Sequence, residues 1–143
     1  MKNLSKAAQT LSKGKYSCVI EKDGVIISAR RGLGVKPILS ALENYTGDLN
    51  GASVADTVTG KASAMLLHLG NVQSLYSQVA SRPAQDYLTS NGILHEYGIM
   101  VDAISNRTKD GLCPIEQCVI ATNDPSEGYK QIKKTIGILM SKK

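Results

Sequence analysis

Cys113 is the residue whose type and setting most favour covalent chemistry. It directly precedes Pro114, and proline is common in the first turn of a helix, where its missing N–H would be unpaired anyway. A helix N-terminus stabilises a thiolate, which is the nucleophilic form of cysteine. Glu116 follows as an acid/base or as a capping residue. We therefore treat Cys113 as a candidate nucleophile, with a buried, small apolar residue as the structural alternative.

The segment before this cysteine is polar. Asn106 and Asp110 lead into it, and Asp110-Gly111 is a tight-turn pair of the kind that directs side chains toward a cleft. We predict that Asp110 or Glu116 would assist Cys113 in a reaction. Asn106 is a candidate for contact with a ligand.

A second group of candidates surrounds Gly60, at the start of a predicted helix. Gly60 allows close approach of the backbone, Thr59 and Ser63 supply hydroxyls, and helix N-termini attract anions. This combination favours a phosphate group. The segment is not a P-loop, because the upstream glycine is absent and Ser63 is displaced by one position. The structural alternative is a turn followed by a solvated Lys61.

Two lysines stand at the starts of predicted helices. In open α/β sheets ligands bind beyond the carboxyl ends of the strands, where helix N-termini converge, so we expect Lys36 and Lys61 to bring two cations to one pocket. Asp56, near the end of an apolar strand, would pair with Lys61, cap the next helix or contact the ligand. These residues favour a nucleotide or another small phosphate-bearing ligand.

Nothing in the spacing of potential ligands predicts a metal site. The two histidines, His68 and His95, fall on a predicted apolar helix and near a predicted strand, where they are ordinary structural residues. Cys113 and Cys118 lack the paired spacing and the histidine partner of a structural zinc site. We expect neither a metal nor another cofactor.

Composition narrows the class of protein. The 143 residues, 42% of them hydrophobic, suffice for one core, so we predict a single domain over 1–143. The net charge of +5 is spread along the chain, and Trp and Phe are absent, which argues against nucleic acid as a partner. Three cysteines without disulfide spacing favour the cytoplasm, and no apolar run is long enough to span a membrane.

Hydrophobic periodicity and turn signals predict alternating helices and strands. The predicted helices cover 4–11, 37–45, 61–69 and 83–90, and the strands cover 16–21, 25–29, 52–58, 72–80 and 93–101. Asp23-Gly24 between two β-rich runs predicts a hairpin. A short helix over 114–121 and a terminal helix through 139, capped near Asp124, complete the chain. The order implies an α/β fold, with helices on both faces of a mixed five-stranded sheet.

Three segments resemble a small prokaryotic family of uncharacterised function within the cytidine deaminase-like superfamily. They run from Gly34 to Pro37, from Val54 to Ala62 and from Asp110 to Glu116. The order of elements is similar to that superfamily, as is the helix exit from Tyr87 to Ile93. The resemblance implies a three-layer α/β/α sandwich.

Active deaminases of this fold begin two helices with zinc ligands. One begins with His or Cys followed by Ala-Glu and the next with Pro-Cys-x-x-Cys, which together hold the zinc and supply the acid/base that activates water. The corresponding positions here read Val35-Lys36-Pro37 and Gly60-Lys61-Ala62-Ser63. The resemblance therefore implies a member of the fold without zinc-dependent deaminase activity.

Three functions remain open from the sequence. The first is a metal-independent module that binds a nucleotide or another phosphate-bearing metabolite through Lys36, Gly60, Lys61 and Asp56. The second is an enzyme that uses Cys113 on a nucleotide-like substrate. The third is a non-catalytic interaction protein that assembles as a homo-oligomer. Whether the chain is an enzyme is not decided at this point.

Overall fold

The computed structural model describes residues 6–32, 34–44, 49–105 and 111–141. In these ranges helices and strands follow one another in the order αββαβαβαβαα. The helices are α1 (Lys6–Ser12), α2 (Lys36–Asn44), α3 (Lys61–Leu69), α4 (Arg82–Ser90), α5 (Pro114–Gln117) and α6 (Pro125–Ser141). The strands are β1 (Cys18–Lys22), β2 (Val25–Arg30), β3 (Ser53–Thr59), β4 (Ser74–Ser81) and β5 (Leu94–Val101).

The strands form one mixed five-stranded sheet in the order β2-β1-β3-β4-β5. β1 is antiparallel to both β2 and β3, whereas β3, β4 and β5 are parallel. Asp23 and Gly24 join β1 to β2 with φ angles of 53° and 82°, the positive values that an Asp-Gly hairpin turn requires. The α/β fold and the mixed sheet are confirmed, as is the early hairpin.

Different helices pack against the two faces of the sheet. On one face Cys18 and Ile20 of β1 join the main core, to which α2, α3, α4 and α6 contribute. Val19, between them in sequence, points to the other face and packs with α1 through Ala7 and Leu11. This alternation along β1 is the period of two expected of a strand buried on both faces.

The parallel strands align their carboxyl ends at one edge, and this arrangement positions the candidate site. Asp56 of β3 lies beside Ser77 of β4 in the register. The chain passes from Thr59, the last residue of β3, through Gly60 directly into α3. Residues just before α2 and residues of α5 line a cavity at the same edge.

Differences from the predicted boundaries have local causes. The predicted helix over 114–121 is helical only over Pro114–Gln117 and continues as turns. β4 begins at Ser74 rather than at 72 because the Val72 N–H bonds back to the carbonyl of Leu67 at the end of α3. The predicted end of the helix over 37–45 lies outside the described residues, which stop at 44 in this part of the chain.

The terminal helix begins as predicted. The carboxylate of Asp124 accepts a hydrogen bond of 3.0 Å from the backbone N–H of Ser126, which makes it the cap of α6. α6 has 17 residues. Within the described ranges no helix combines the length and the apolarity that crossing a bilayer requires.

Candidate functional site

A cavity of about 230 Å³ opens at the carboxyl end of β3. Its walls are largely apolar, with side chains from four places in the chain: Val35, Val58, Ile104 and Ile115. Asp56, Ser63, Cys113 and Glu116 contribute polar groups to the same lining. An apolar cavity with a few converging polar groups is the typical form of a small-molecule site.

Asp56 is the most buried acid in this lining, with 4% of its surface exposed. The hydroxyl of Thr59 donates a hydrogen bond of 2.9 Å to Oδ2 of Asp56, and the hydroxyls of Thr59 and Ser77 lie 2.7 Å apart. While Asp56 is ionised, the single hydroxyl proton of Thr59 is used on its carboxylate, so the hydroxyl of Ser77 donates to Thr59. The two hydroxyls therefore form a directed chain that ends on the carboxylate.

Burial has a large effect on the ionisation of this carboxyl. It raises the pKa of Asp56 to about 7, although hydrogen bonds from Thr59 and from the backbone of Thr57 oppose the shift. Cys18 faces Asp56 across the β1–β3 pair, and burial followed by this acidic neighbour raises the pKa of its thiol. Asp56 can therefore gain or lose a proton near neutral pH, as an acid/base or a pH-dependent ligand group does.

Glu116 occupies the N-terminus of α3. Its carboxylate accepts hydrogen bonds of 2.8 Å from the backbone N–H of Lys61 and 3.1 Å from that of Ala62. A Cβ atom at Gly60 would collide with this carboxyl group. Burial raises the pKa of Glu116, while the two backbone hydrogen bonds oppose the shift. The helix terminus that was predicted to bind phosphate thus holds a carboxylate of the chain itself.

The two lysines are arranged differently from the prediction. Neither Lys36 nor Lys61 lines the cavity. The Lys61 ammonium donates a hydrogen bond of 3.3 Å to the carbonyl of Ile120, beyond α5, and the Lys36 side chain is exposed. Asp56 bonds to Thr59, not to Lys61, and α3 has no side-chain cap from its preceding residue. The structure therefore does not bring Lys36 and Lys61 together in the described lining of this cavity.

The remaining candidates divide into three groups. Five of them line the cavity at the carboxyl end of β3: Asp56, Gly60, Ser63, Cys113 and Glu116. Thr59 lies fully buried behind Asp56, to which it bonds. The predicted contributions of residues 106 and 110 fall outside the described residues. Cys113 therefore lies in the same cavity as Asp56 and Glu116. Sequence spacing alone could not predict this, because it results from the tertiary structure.

Two backbone hydrogen bonds fix the position of Cys113. Its N–H donates a hydrogen bond of 2.9 Å to the carbonyl of Ile104, and its own carbonyl accepts one of 3.0 Å from Gln117, as the first residue of a helical turn does. Its side chain is half-buried at the cavity wall, and Cys118 further along bonds through its thiol to the carbonyl of Ile115. Cys113 is accordingly the cysteine that a ligand in the cavity would meet.

Sequence reasoning missed Ser77. Only the parallel register of β3 and β4 places it beside Asp56. The separation of the two residues along the sequence does not predict this contact. The histidines lie elsewhere: Nδ1 of His68 is 2.6 Å from the Tyr87 hydroxyl and Nδ1 of His95 is 2.9 Å from the carbonyl of Ile93. In the part of the chain that the structure covers, no three His, Cys, Asp or Glu side chains gather as a metal site would need.

Comparison with known proteins places the chain in a family. No functionally curated protein matches it. The crystal structure of a DUF1893 family protein, TM1506 from Thermotoga maritima, is similar with a TM-score of 0.76 and 23% sequence identity, covering 99% of this chain and 93% of that chain. At this identity the likeness shows the fold alone. The family model described as TM1506, domain of unknown function (DUF1893), matches residues 6–136, and the chain therefore belongs to the DUF1893 family.

Proposed function

We propose that this chain is a cytoplasmic, metal-independent member of the cytidine deaminase-like fold that binds a nucleotide or another phosphate-bearing metabolite. The observation that carries the proposal is the cavity at the carboxyl end of β3, in which an almost fully buried carboxyl group, Asp56, lies among apolar walls. A buried acid beside an open cavity is costly for stability and is commonly retained for a ligand or a reaction.

The topology supports the deaminase-like part of this proposal. Among the strands the β1–β2 hairpin comes first and three parallel strands follow, and helices pack on both faces of the sheet, as in a three-layer α/β/α sandwich. In active members of that fold the zinc ligands stand at the starts of the two helices after the hairpin. Here Val35, Gly60 and Ser63 line the cavity at those two helix starts, and none of them is a zinc-binding residue type.

The size of the cavity supports partial burial of the ligand. Pockets that enclose a drug-sized molecule measure about 300–1,000 Å³, and this one measures about 230 Å³. A single ring fits this space better than a whole nucleotide. The phosphate would then remain outside, because Glu116 fills the N-terminus of α3. Lys36, exposed and directly after the lining residue Val35, is the candidate contact for it.

Native mass spectrometry of protein purified without added ligand tests the proposal. Released compounds are identified after denaturation, and metal content is measured on the same sample. We expect a phosphate-bearing metabolite that is lost from Asp56→Asn. It should be kept in Asp86→Asn, which changes an exposed aspartate on α4. Equal retention by both variants, or wild-type protein that neither carries such a metabolite nor binds added nucleotides, would contradict it.

A cysteine-dependent enzyme is the second candidate, because Cys113 shares its cavity with Asp56 and Glu116. Iodoacetamide followed by peptide mapping tests it, with the other cysteines as internal references. Cys18 is fully buried and burial raises the pKa values of the Cys18 and Cys118 thiols, so both should react slowly. Fast labelling of Cys113 near neutral pH supports this candidate, and equally slow labelling of all three argues against it.

Self-association is the remaining candidate, and strand β5 favours it. β5 is the outer strand of the sheet opposite the hairpin, and its Leu94 and Ile99 are 69% and 63% exposed. Long apolar edge strands tend to pair with other chains unless they are covered. Light scattering coupled to size exclusion tests this candidate. A concentration-independent monomer would contradict it.

A further inference from the structure

The ionisable side chains that the structure describes in the cavity lining share one chemical character. Asp56, Cys113 and Glu116 are acids, and no Lys, Arg or His is found among the described residues of the lining. Such a lining disfavours an anion and favours a group that donates hydrogen bonds or carries positive charge. A buried cation is tolerated only when a partner of opposite charge faces it, and a buried carboxylate benefits in the same way.

Asp56 is arranged to accept further hydrogen bonds. A carboxylate has about four acceptor positions on its two oxygens. The hydroxyl of Thr59 takes one position on Oδ2 and the backbone of Thr57 takes another, while the hydroxyl of Ser77 lies 2.7 Å from that of Thr59. Thr59, on the side away from the cavity, thus fixes the carboxyl group of Asp56, which also contributes to the cavity lining. A group held in this way binds a planar partner with little loss of entropy.

Among the described lining residues, the second carboxyl group is already engaged. Both oxygens of Glu116 accept backbone N–H groups of α3. Of these two described carboxyl groups, Asp56 is therefore the one with acceptor positions left for a ligand. The apolar side chains of Val58 and Ile115 line the same space and suit the faces of a flat group.

We propose that the part of the ligand that enters this cavity is a planar amidine-type group, whose adjacent N–H donors pair with the carboxylate of Asp56. Amidinium and guanidinium groups have this edge, and amino-substituted nucleobase rings display a related one. Paired N–H···O bonds to a carboxylate are the geometry that makes such recognition selective. The inference rests on the proposed function, because it assumes that the ligand occupies this cavity.

Three ring-sized probes of nearly equal shape test the inference: benzamidine, benzamide and benzoate. Binding is measured by isothermal titration calorimetry, with the backbone amides of Gly60 and Ser63 followed by NMR to locate the probe. We expect benzamidine to bind at least about tenfold more tightly than benzamide or benzoate. Asp56→Asn should remove most of this preference, whereas Asp86→Asn should leave it unchanged.

The pH dependence of benzamidine binding gives a second readout. Affinity should fall as pH drops below about 7, the pKa to which burial raises Asp56, because the protonated carboxyl loses its charge. Cys18 on β1, Glu116 on α5 and Cys113 just before α5 face the same region, so the Asp56→Asn variant serves as the reference curve. A pH profile shared by wild type and Asp56→Asn would count against the inference.

The failure of this inference is distinguishable from failure of the proposed function. Benzoate or benzamide binding in the cavity as tightly as benzamidine overturns the amidine preference. A nucleotide that binds in an Asp56-dependent manner while benzamidine does not bind also overturns it, yet leaves the proposed function intact. If neither nucleotides nor the three probes bind, both are overturned.

Discussion

The carboxylate of Glu116 accepts a hydrogen bond of 2.8 Å from the backbone N–H of Lys61, a residue 55 positions earlier in the chain. This contact joins α5 to the first turn of α3 and brings the segment that carries Cys113 to the cavity wall. It also satisfies an N–H that a helix N-terminus otherwise leaves without a partner. The same contact therefore closes the cavity and stabilises the helix.

Replacement of this acid should destabilise the fold. In Glu116→Gln the amide NH₂ would face one of the two backbone donors and could not accept its proton. We expect the free energy of unfolding to fall by about 1–3 kcal/mol, the cost of leaving a buried donor unpaired. Urea denaturation followed by circular dichroism measures it. Glu127→Gln, in which the changed group bonds to Gln131 on its own helix, is the control and should change stability less.

Any side chain at Gly60 should destabilise the protein while Glu116 is present. Its φ of −97° is ordinary for any residue, so the expected cost comes from collision with the Glu116 carboxyl and not from backbone strain. We expect Gly60→Ala to lower the free energy of unfolding by about 1–3 kcal/mol, as overpacking does. Thermal and urea unfolding measure the change.

Two further variants separate collision from general glycine effects. Gly137→Ala, in α6 with nothing within 4 Å of the added Cβ, should stabilise the protein by about 0.5–1 kcal/mol. In a Glu116→Ala background, Gly60→Ala should cost at least about 1 kcal/mol less than in the wild type, because the colliding group is gone. Equal costs in both backgrounds would refute the collision.

Stability should fall as pH rises because of Asp56. Burial raises the pKa of this acid to about 7 in the folded protein from 3.8, its ordinary value. Between these values the folded protein retains a proton that the unfolded chain has released, so each pH unit lowers stability by up to about 1.4 kcal/mol. Above pH 7 the full cost of a buried charge is present. Unfolding midpoints in urea from pH 4 to pH 8 measure the trend.

Asp56→Asn isolates this contribution. The variant cannot ionise at this position, so its stability relative to the wild type should improve steadily from pH 4 to pH 7 and then level off. Asp86→Asn, exposed on α4, should show no such improvement. A constant difference between wild type and Asp56→Asn over this range would show that the buried carboxyl does not titrate there.

Local patterns in the sequence were sufficient for much of the fold. The bounds of α3 agree with the prediction, because apolar residues at helical spacing lie between Gly60 and Gly70. The β1–β2 hairpin follows from Asp23-Gly24, whose backbone preferences act over two residues. Asp124 caps α6 for a similarly local reason. Signals of this kind need no knowledge of what the element later packs against.

The site was only partly predictable. Asp56, Cys113 and Glu116 were recognised by residue type, but their shared cavity and the engagement of Glu116 with α3 depend on contacts between distant segments. Lys61 was expected inside the pocket, yet its ammonium reaches the carbonyl of Ile120. Side-chain direction of this kind follows from packing, which a helix start alone does not specify.

The sequence by itself determined the order of helices and strands, the hairpin and the types of residue available for chemistry, because turn chemistry and hydrophobic periodicity act over a few residues. The tertiary structure alone decided that Ser77 and Thr59 support Asp56, and that Glu116 occupies the N-terminus of α3. Strand register and burial create these relationships, and burial also moves the pKa of Asp56 to about 7. Desolvation depends on every neighbouring segment, and no single stretch of the sequence encodes it.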